Sequence, residues 1–522
     1  MGALDPPPGG ATLRRGAIAF GGWTHFRSGP AARVELRLGD QPLGRARLGL
    51  RRTDACDALG LPVGAATGFE LLCDLSTWPG GEGELELTAL ATGLRGERLE
   101  LGPHHVRVAA PEQARMVRPT PPLHQRVGPP SGRGLRTLVV THRLDRGGAQ
   151  LYLQELLAEL VRGGTVDPVV VSAEDGPLRA ELEALAVEVH VTGTPPFESL
   201  DAHRDRVGEL AAWAGEGGFE VAFVNTATGP AYFGVDLAAA LGIPVLWSIH
   251  ESYPPAVLWS GMHPELLRHA EAALTRAERT VFAAESTRRL LAPHIAAERS
   301  RTIPYGLEFG ALEARRAGFD RAAARRAAGI SAEADVLLCV GTVEPRKAQL
   351  PLAQAFELVA ARHQRAELVY VGARPGEPDT DFLTEYAAAS PAARRIRVVS
   401  MTDDVHSWFG LADLFVCAAD VESLPRTVVE AQAWELPVLA TAIFGLPELV
   451  VDGETGWLCE PLDLEALAAG LDRALASSPE QRRRLGRNAR AQVLARHDLP
   501  TYATEISALI AELAGRPARA LA

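Results

Sequence analysis

The chain has 522 residues, of which 47% are hydrophobic and 23% are charged, as is typical of a globular protein with ample apolar core. At roughly 150 residues per domain, this length predicts about three domains. The formal net charge of −12 argues against nucleic acid as the main partner, because a protein needs a basic surface to neutralise a phosphate backbone.

The first 109 residues contain short predicted strands. Residues 33–38 alternate polar and apolar side chains and precede a turn at Gly39-Asp40. Further strand-like runs lie between glycine, proline and aspartate breaks, at 43–50, 68–75, 84–90 and 98–108. No long amphipathic helix interrupts them, so residues 1–109 are predicted to be an all-β, sandwich-like domain. Residues 110–134 are rich in proline, arginine and glycine and predict a linker.

From residue 135, short buried strands alternate with helices. The strands of a first series are predicted at 137–141, 167–172, 187–191, 221–225, 245–249 and 280–284, with a helix at 149–161. After helical residues 311–330, a second series has strands at 336–341, 368–372, 396–399, 414–417 and 437–440. This alternation predicts parallel sheets covered on both faces.

We therefore expect two doubly wound, Rossmann-like domains, at residues 135–308 and 309–495, that face a ligand-binding cleft. Residues 496–522 are predicted to form a helix that packs back on the first of these domains. The fold class is thus multidomain, with an α/β pair of domains preceded by the all-β domain.

Cysteines, basic clusters and apolar runs bear on the location of the protein. The five cysteines lack the spacing of metal ligands or of a disulfide framework. Residues 1–6 do not begin a signal peptide, and no apolar run reaches spanning length. These features predict a cytoplasmic protein. The arginine clusters at 315–326 and 482–484 are interpreted as solvated helix faces, and peripheral contact with the inner face of the membrane through them is left open.

Two carboxylates, Glu422 and Glu430, flank a predicted helix start. A carboxylate in front of a helix lies beside free backbone N–H groups and the positive end of the helix dipole, which together bind phosphate well. The second carboxylate, inside the first helical turns, can accept hydrogen bonds from a ribose. A nucleotide-sugar carries the matching groups, namely sugar, diphosphate and ribose.

Other motifs follow predicted strands. Gly147 and Gly148 come after the first strand of the α/β region and precede a helix, so the backbone there can approach a ligand closely. His250 ends a buried strand, a position where a lone histidine is more often structural than functional. Arg346 and Lys347 follow the first strand of the second series, where a solvated loop is the alternative interpretation.

In this order, the motifs resemble the retaining nucleotide-sugar glycosyltransferases with the GT-B fold, and glycosyltransferase family 4 in particular. The resemblance covers residues 135–515 and includes the runs 445–448 and 453–458. It implies transfer of a sugar from a nucleoside-diphosphate sugar to a hydroxyl acceptor with retention of anomeric configuration. The all-β domain lies outside the resemblance.

The resemblance also implies roles for the motif residues. His250 is expected to contact the donor sugar, and Gly147 and Gly148 are expected by the donor diphosphate and the acceptor. Lys347 fits the lysine that neutralises the diphosphate as the bond to the sugar breaks. The family usually has an arginine directly after the glycine of this loop, where this chain has Thr342. Arg346 is the candidate for the missing charge.

The carboxylates complete the implied donor site. Glu422 is expected near the donor sugar as a catalytic group, and Glu430 at the ribose hydroxyls. Asp404 is a candidate near the base, with a helix cap as the alternative. The remaining donor-binding residues are expected to be Ser423, Leu424, Thr427 and Val428. No Asp-x-Asp motif stands beside these elements, so we expect no metal and no cofactor, with basic groups and a helix dipole in their place.

The predicted function is a glycosyltransferase of bacterial surface polysaccharide or glycoconjugate synthesis, acting on a nucleoside-diphosphate sugar and on a saccharide, lipid-linked or other hydroxyl acceptor. Two alternatives remain open. A nucleotide-sugar epimerase would use a related double-Rossmann fold. A non-catalytic carbohydrate-binding or scaffold protein would explain Thr342 and a lectin-like β domain.

Overall fold

The computed structural model describes residues 1–8, 10–14, 16–61, 67–76, 78, 84–109, 127–132, 134–196, 199–229 and 231–517. Contacts between Cα atoms divide the chain into two compact units. The first unit comprises residues 1–110 and 310–494, and the second comprises residues 111–309 and 495–522. Most of the predicted linker, residues 110–126 and 133, lies outside the described residues.

The N-terminal module is built mainly from antiparallel strands. Its elements are β1 (Gly2–Leu4), β2 (Thr12–Arg14), β3 (Ala17–Thr24), β4 (Ala31–Leu38), β5 (Gln41–Arg45), β6 (Arg47–Leu50), α1 (Thr53–Leu59), β7 (Thr67–Asp74), β8 (Glu84–Gly93) and β9 (Arg98–Ala109). One sheet has the order β1-β3-β7-β6 and the other has the order β2-β9-β8-β4-β5. Buried residues of both sheets, among them Phe20, Phe69 and Leu36, belong to one hydrophobic cluster.

The sequence prediction for this module is confirmed in part. The antiparallel strands β4, β7, β8 and β9 lie where strands were predicted. The run 43–50, predicted as one strand, is divided between β5 and β6, which belong to different sheets. Strands β1 to β3 and the short helix α1 were not predicted, and β2 pairs with β9 in parallel.

The second unit contains a parallel α/β domain. Its elements are β10 (Leu135–Arg143), α2 (Gly148–Arg162), β11 (Val166–Glu174), α3 (Leu178–Ala184), β12 (Glu188–Val191), α4 (Leu200–Ala214), β13 (Val221–Asn225), α5 (Phe233–Leu241), β14 (Val245–Ile249), α6 (Pro255–Leu258), α7 (Pro264–Arg276), β15 (Arg279–Phe282), α8 (Glu285–Leu291) and β16 (Ser300–Thr302). The strand order is β12-β11-β10-β13-β14-β15-β16. Every residue of β13 and β14 is buried, as expected for central parallel strands covered on both faces.

The first unit contains the other α/β domain. Its elements are α9 (Phe309–Ala317), α10 (Arg321–Ala327), β17 (Asp335–Val340), α11 (Gln349–Ala360), β18 (Ala366–Ala373), α12 (Pro378–Ala389), β19 (Ile396–Ser400), α13 (Val405–Leu411), β20 (Leu414–Cys417), α14 (Arg426–Ala433), β21 (Val438–Thr441), α15 (Leu446–Leu449), β22 (Gly456–Cys459), α16 (Leu464–Ala476) and α17 (Pro479–Arg496). The parallel strand order is β19-β18-β17-β20-β21-β22. Short 3₁₀ helices lie at Gly215–Gly217, Ala297–Arg299, Pro345–Lys347 and Ala393–Arg395.

The last helix, α18 (Leu499–Leu513), belongs to the second unit. It contacts α2 and the strands β13 and β14. Two ion pairs hold its end, from Arg279 to Glu512 at 2.7 Å and from Arg516 to Glu220 at 2.8 Å. In the part of the chain that the structure describes, no helix combines the length and the apolar character needed to span a membrane.

The predicted parallel α/β domains of the GT-B type are confirmed, and the central strands lie where their apolar runs placed them. β13, β14 and β20 have the predicted bounds. Strands β16 and β22, at the edges of the two sheets, were not predicted. Strand β16 consists of Ser-Arg-Thr, which are all polar and give no apolar run.

Candidate active site

Several of the predicted site residues follow strands at the point where strand order reverses in each sheet. The reversal lies between β17 and β20 in the first unit and between β10 and β13 in the second. In open parallel sheets, the loops beyond the carboxyl ends of the strands at such a point form the ligand-binding crevice. Lys347 and Glu422 follow β17 and β20, and Gly147 follows β10.

In the first unit, Arg346, Lys347 and Glu422 are in direct contact. The 3₁₀ turn Pro345–Lys347 brings both basic side chains to the carboxylate that follows β20. Lys347 Nζ lies 3.1 Å and Arg346 NH1 lies 3.0 Å from the same oxygen, Oε1 of Glu422. The backbone N–H of Asp420 donates to the carbonyl of Arg346 at 2.8 Å and ties the two loops together.

Lys347 is the only lysine among the 522 residues, so arginine supplies every other long cation of the chain. Its side chain lies against Gly341, the residue that follows β17. A Cβ added at Gly341 would lie 3.1 Å from Lys347 Nζ and 3.3 Å from its Cδ. The lysine stem therefore passes close over the glycine.

The charges of this cluster stabilise one another. Burial favours the neutral form of Glu422, but Lys347 and Arg346 outweigh it and lower the pKa of Glu422. Burial likewise disfavours the charged form of Lys347, yet the Glu422 carboxylate raises the pKa of Lys347 above its ordinary value. Both groups are therefore charged at neutral pH.

Thr342, at the position where the family usually has an arginine, contacts Glu344. The Thr342 hydroxyl donates to Glu344 Oε1, and Arg346 Nε donates to Glu344 Oε2 at 2.7 Å. The guanidinium of Arg346 thus bridges two carboxylates, Glu344 of its own loop and Glu422. Two cations face two carboxylates, so the cluster carries no net charge.

Glu430 lies apart from this cluster, inside helix α14. It is 7% exposed, and Arg426, one turn earlier, donates to its Oε1 at 2.8 Å. His406 is an electrostatic neighbour of Glu430, although burial is the larger effect and lowers the pKa of His406. The indole N–H of Trp434 donates to His406 Nδ1 at 3.2 Å.

The remaining predicted donor residues occupy different positions. Asp404 precedes helix α13, is well exposed, and lies 3.8 Å from Arg315. The Ser407 hydroxyl donates to it at 2.5 Å. Leu424 and Val428 are buried, and the Val428 N–H already donates to the carbonyl of Pro425 at 3.0 Å. A donor contact with the Val428 N–H would therefore have to replace that bond. Ser423 is buried in front of α14, and Thr427 lies partly exposed in its first turn.

In the second unit, His250 is held on both ring nitrogens. Its Nε2 lies 2.8 Å from Asn225 Oδ1, and the Tyr305 hydroxyl contacts its Nδ1. Because the Asn225 amide nitrogen faces the carbonyl of Ala149, the Asn225 oxygen accepts from His250 Nε2–H, and Tyr305 donates to Nδ1. Burial lowers the pKa of His250 to about 4 and raises that of Tyr305.

Glu251 is the charged group of this second cluster. It accepts from the N–H of Ala227 at 2.8 Å, from the N–H of His250 at 3.1 Å, and from the Thr228 hydroxyl. Burial works against ionisation of Glu251, but His250 and these hydrogen bonds outweigh it and lower its pKa. A neutral histidine thus lies directly beside a carboxylate.

The glycine pair lies at the start of helix α2 in the same unit. Gly147 is the N-cap, and a Cβ added there would lie 2.4 Å from Gln150 Oε1. A Cβ added at Gly148 would meet no described atom within 4 Å. Gln150 Nε2 lies 3.1 Å from His142 Nε2, and the Thr226 hydroxyl lies 3.3 Å from His142 Nδ1.

One other group of side chains has the donor atoms of a metal site. Atoms of His203, Asp236 and His269 all lie within 4.8 Å of one another. Both histidines approach Asp236 at hydrogen-bond distance, and Arg276 NH1 lies 2.7 Å from its Oδ1. Burial disfavours the ionised form of Asp236. The three partners stabilise that form more strongly, so the pKa of Asp236 is lowered. Arg276 therefore already supplies a positive charge to this carboxylate.

Several residues around these clusters were not identified from the sequence, namely Glu344, His142, Asn225, Glu251, Tyr305 and Arg426. His142 and Asn225 lie at the ends of β10 and β13, the same signal that singled out His250. The i,i+4 spacing of Arg426 and Glu430 predicts their pair on a helix. Tyr305 follows the last strand of its sheet and gives no such signal.

The family comparisons agree with both α/β domains. Residues 146–309 match Glycosyltransferase Family 4, and residues 320–492 match Glycosyl transferases group 1. The chain is 29% identical, over 63% of its length and 82% of the relative, to D-inositol 3-phosphate glycosyltransferase 2 of Catenulispora acidiphila. It is 27% identical, over 73% of its length and 85% of the relative, to D-inositol 3-phosphate glycosyltransferase of Streptomyces avermitilis.

Solved structures show the same fold. The crystal structure of Anabaena HepE in complex with UDP-glucose covers 72% of this chain and 100% of its own, with a TM-score of 0.61 and 20% identity. Sucrose-phosphate synthase of Thermosynechococcus elongatus covers 73% of this chain and 99% of its own, with a TM-score of 0.58 and 20% identity. The chain therefore carries a glycosyltransferase family 4 domain followed by a glycosyltransferase group 1 domain, and its fold is of the GT-B type.

Proposed function

We propose that this protein transfers a sugar from a nucleoside-diphosphate sugar to a hydroxyl acceptor, with retention of anomeric configuration. The observation that carries the proposal is the contact of Lys347 and Arg346 with Glu422 beyond the carboxyl ends of β17 and β20. Two cations suit a diphosphate, and a carboxylate suits the hydroxyls of a sugar. Both lie where an open parallel sheet binds ligands.

Donor binding is proposed to exchange partners within this cluster. In the free protein, Glu422 neutralises both Lys347 and Arg346. A donor diphosphate would take over the two cations, and Glu422 would turn to accept hydrogen bonds from the donor sugar. The cations would then lie at the oxygen on which charge develops as the sugar–phosphate bond breaks, which is where preorganised charge lowers a barrier most.

The proposed transfer step needs no nucleophile from the protein. The acceptor oxygen forms a bond to the anomeric carbon on the face from which the phosphate departs, the bond from that carbon to the phosphate oxygen breaks, and the acceptor proton passes to the leaving phosphate. Lys347 and Arg346 supply the positive charge in this proposal, so we expect activity in the presence of EDTA. Analysis of the product anomer by NMR tests retention.

Glu430 is proposed to bind the ribose hydroxyls. Its carboxylate is held by Arg426 and buried in α14, so the carboxylate has a fixed direction. The test uses two ligands, UDP and its 2′,3′-dideoxy analogue. Glu430→Ala is expected to weaken UDP binding about 10-fold, since a lost hydrogen bond to a charged group costs about 1.5 kcal/mol. It should leave binding of the dideoxy analogue almost unchanged, and equal losses for both ligands would refute the ribose assignment.

His250 is proposed to act as a neutral group at the reaction centre. Both of its ring nitrogens are engaged by Asn225 and Tyr305, so a direct bond from a ring nitrogen to the donor sugar requires that one of these partners is displaced. A neutral His250 also places no positive charge beside the positive charge that develops on the sugar.

The relatives guide the choice of substrates. HepE binds UDP and glucose in its solved complexes, so UDP-sugars are the first donors to test. The curated relatives are named for D-inositol 3-phosphate, so a phosphorylated polyol is the first acceptor, beside saccharide and lipid-linked acceptors of surface polysaccharide or glycoconjugate synthesis. The protein is proposed to work in the cytoplasm or at the inner face of the membrane.

The decisive experiment measures donor binding and turnover separately. Calorimetry with UDP and UDP-glucose tests the donor site, and product analysis with and without acceptor tests the reaction. A transferase consumes donor quickly only when acceptor is present. Full conversion of donor to an isomer without acceptor would instead identify an epimerase, and binding without turnover across the acceptor series would indicate a carbohydrate-binding protein.

A further inference from the structure

The N-terminal module packs against the donor-side domain within the first unit. Strand β6 lies beside the 3₁₀ turn Pro345–Lys347 and helix α11. Gly49 approaches Pro351 so closely that an added Cβ would lie 2.6 Å from the proline Cδ. Leu48 and Gly49 also line a small cavity together with Val343 and Pro345 of the donor loop.

Arg47 of strand β6 reaches the loop that carries Glu422. Its Nε lies 3.5 Å from Asp420 Oδ2, and the two side chains are 20% and 7% exposed. Within the described part of the chain, neither of these two atoms has a hydrogen-bond partner. Burial raises the pKa of Asp420 to about 7, and Arg47 opposes this rise. The arginine of the module therefore favours the charged form of a buried carboxylate in the other domain.

Asp420 is connected directly to the proposed donor site. Its backbone N–H donates to the carbonyl of Arg346 at 2.8 Å. Arg346 in turn lies 3.4 Å from the carbonyl of Val421 and 3.0 Å from Glu422. Glu422 is only two residues further along the chain. A displacement of Asp420 would therefore move both Glu422 and the Arg346 carbonyl to which Asp420 donates.

We propose that Arg47 is a positioning residue for the donor site, through which the N-terminal module holds the Asp420–Glu422 loop and the Arg346-Lys347 turn in register. The module is then a fixed part of the donor-binding half. The effect on donor binding rests on the proposed function, whereas the effect on the loop does not.

Arg45 provides a matched control. It lies on the neighbouring strand β5 and pairs with Glu460 of the same α/β domain at 2.8 Å. Both partners of that pair are more exposed, at 33% and 59%, and Glu460 follows β22 rather than β20. Arg45→Leu therefore removes an arginine from the same interface without touching the donor loop.

The first measurement requires no nucleotide. Because Lys347 is the only lysine, reductive methylation with ¹³C-formaldehyde gives a single side-chain amine signal beside that of the N-terminus. Arg47→Leu is expected to shift or broaden the Lys347 signal, and Arg45→Leu to leave it unchanged. An unchanged signal in Arg47→Leu, or an equal shift in Arg45→Leu, would overturn the positioning role.

The second measurement is calorimetric titration with UDP. Arg47→Leu is expected to weaken UDP binding about 3- to 30-fold, the range expected for coupling through a packed network, with recovery in Arg47→Lys and less than a twofold change in Arg45→Leu. Binding of UDP by Arg47→Leu within twofold of wild type would overturn the link to the donor site. If the wild type binds neither UDP nor any other nucleoside diphosphate, the proposed function fails, and the Lys347 signal still decides the positioning role.

Discussion

Replacement of Lys347 by methionine removes one charge from the proposed phosphate site and nearly preserves the shape of the side chain. Glu422 loses a partner at 3.1 Å but keeps Arg346 at 3.0 Å, so no buried carboxylate is left alone. The cost should therefore be that of one charge-assisted hydrogen bond, about 1.5–3 kcal/mol. For a unit of about 300 residues, such a cost lowers the midpoint of thermal unfolding by roughly 2–5 °C.

The effect on transfer should be larger than the effect on stability. A cation within about 4 Å of a phosphate oxygen contributes about 4 kcal/mol at an effective dielectric constant near 20. Removal of one preorganised donor to a developing oxyanion typically lowers kcat about 10²- to 10³-fold, or about 2.7–4 kcal/mol. We expect Lys347→Met to reduce kcat/KM within this range.

The assay compares wild type, Lys347→Met, Lys347→Arg and Arg365→Met in steady-state transfer from a UDP-sugar at saturating acceptor. Arg365 is an exposed cation of the same domain, paired with Asp335, and its variant should retain activity. Lys347→Arg keeps the charge but has to fit over Gly341, so it should recover only part of the rate. A kcat/KM for Lys347→Met within threefold of wild type would refute the phosphate role.

Two further predictions concern buried titratable groups of the second unit. Burial lowers the pKa of His497 to about 4, from an ordinary value of 6.5, so the unfolded chain binds this proton first as pH falls. The free energy of unfolding should therefore fall by about 3 kcal/mol between pH 6.5 and pH 4 on account of this group. In His497→Gln, urea titrations at pH 7.5 and 5 should differ less than in wild type, and an equal difference would contradict the assignment. Asp236→Asn removes the shared partner of His203, His269 and Arg276, so it should destabilise the unit by about 3–5 kcal/mol. Thermal unfolding with and without added Zn²⁺ checks this, because a metal site would give wild type a Zn²⁺-dependent gain in stability that an ion-pair cluster does not.

The positions of most α/β elements could be predicted because the signal is local. A central parallel strand is buried on both faces, so its residues form a continuous apolar run, as at Val221–Asn225 and Val245–Ile249. The N-terminal module was predicted less completely. Its strands alternate weakly and are interrupted, and β5 and β6 enter different sheets at a break of one residue.

The candidate site was predictable in its residue types but only partly in its contacts. Lys347 and Glu422 follow strands that are far apart in sequence, and the order of the motifs predicts that both lie at one site; the structure brings the two side chains into contact. The sequence does not give the direction of the Arg346 side chain, because an arginine in a loop can pair with any of several carboxylates. The structure turns it to Glu344 and Glu422. Composition alone also distinguishes Lys347, because it is the only lysine of an arginine-rich chain.

The sequence by itself determined the two parallel sheets and the placement of polar residues at the carboxyl ends of their strands, because a strand that is buried on both faces gives a local apolar run. Only the tertiary structure decided which charges meet. His250 meets Tyr305, 55 positions away, and Arg47 of the N-terminal module meets Asp420 beside the donor loop. Such pairs depend on how separate elements pack, and local periodicity carries no record of that packing.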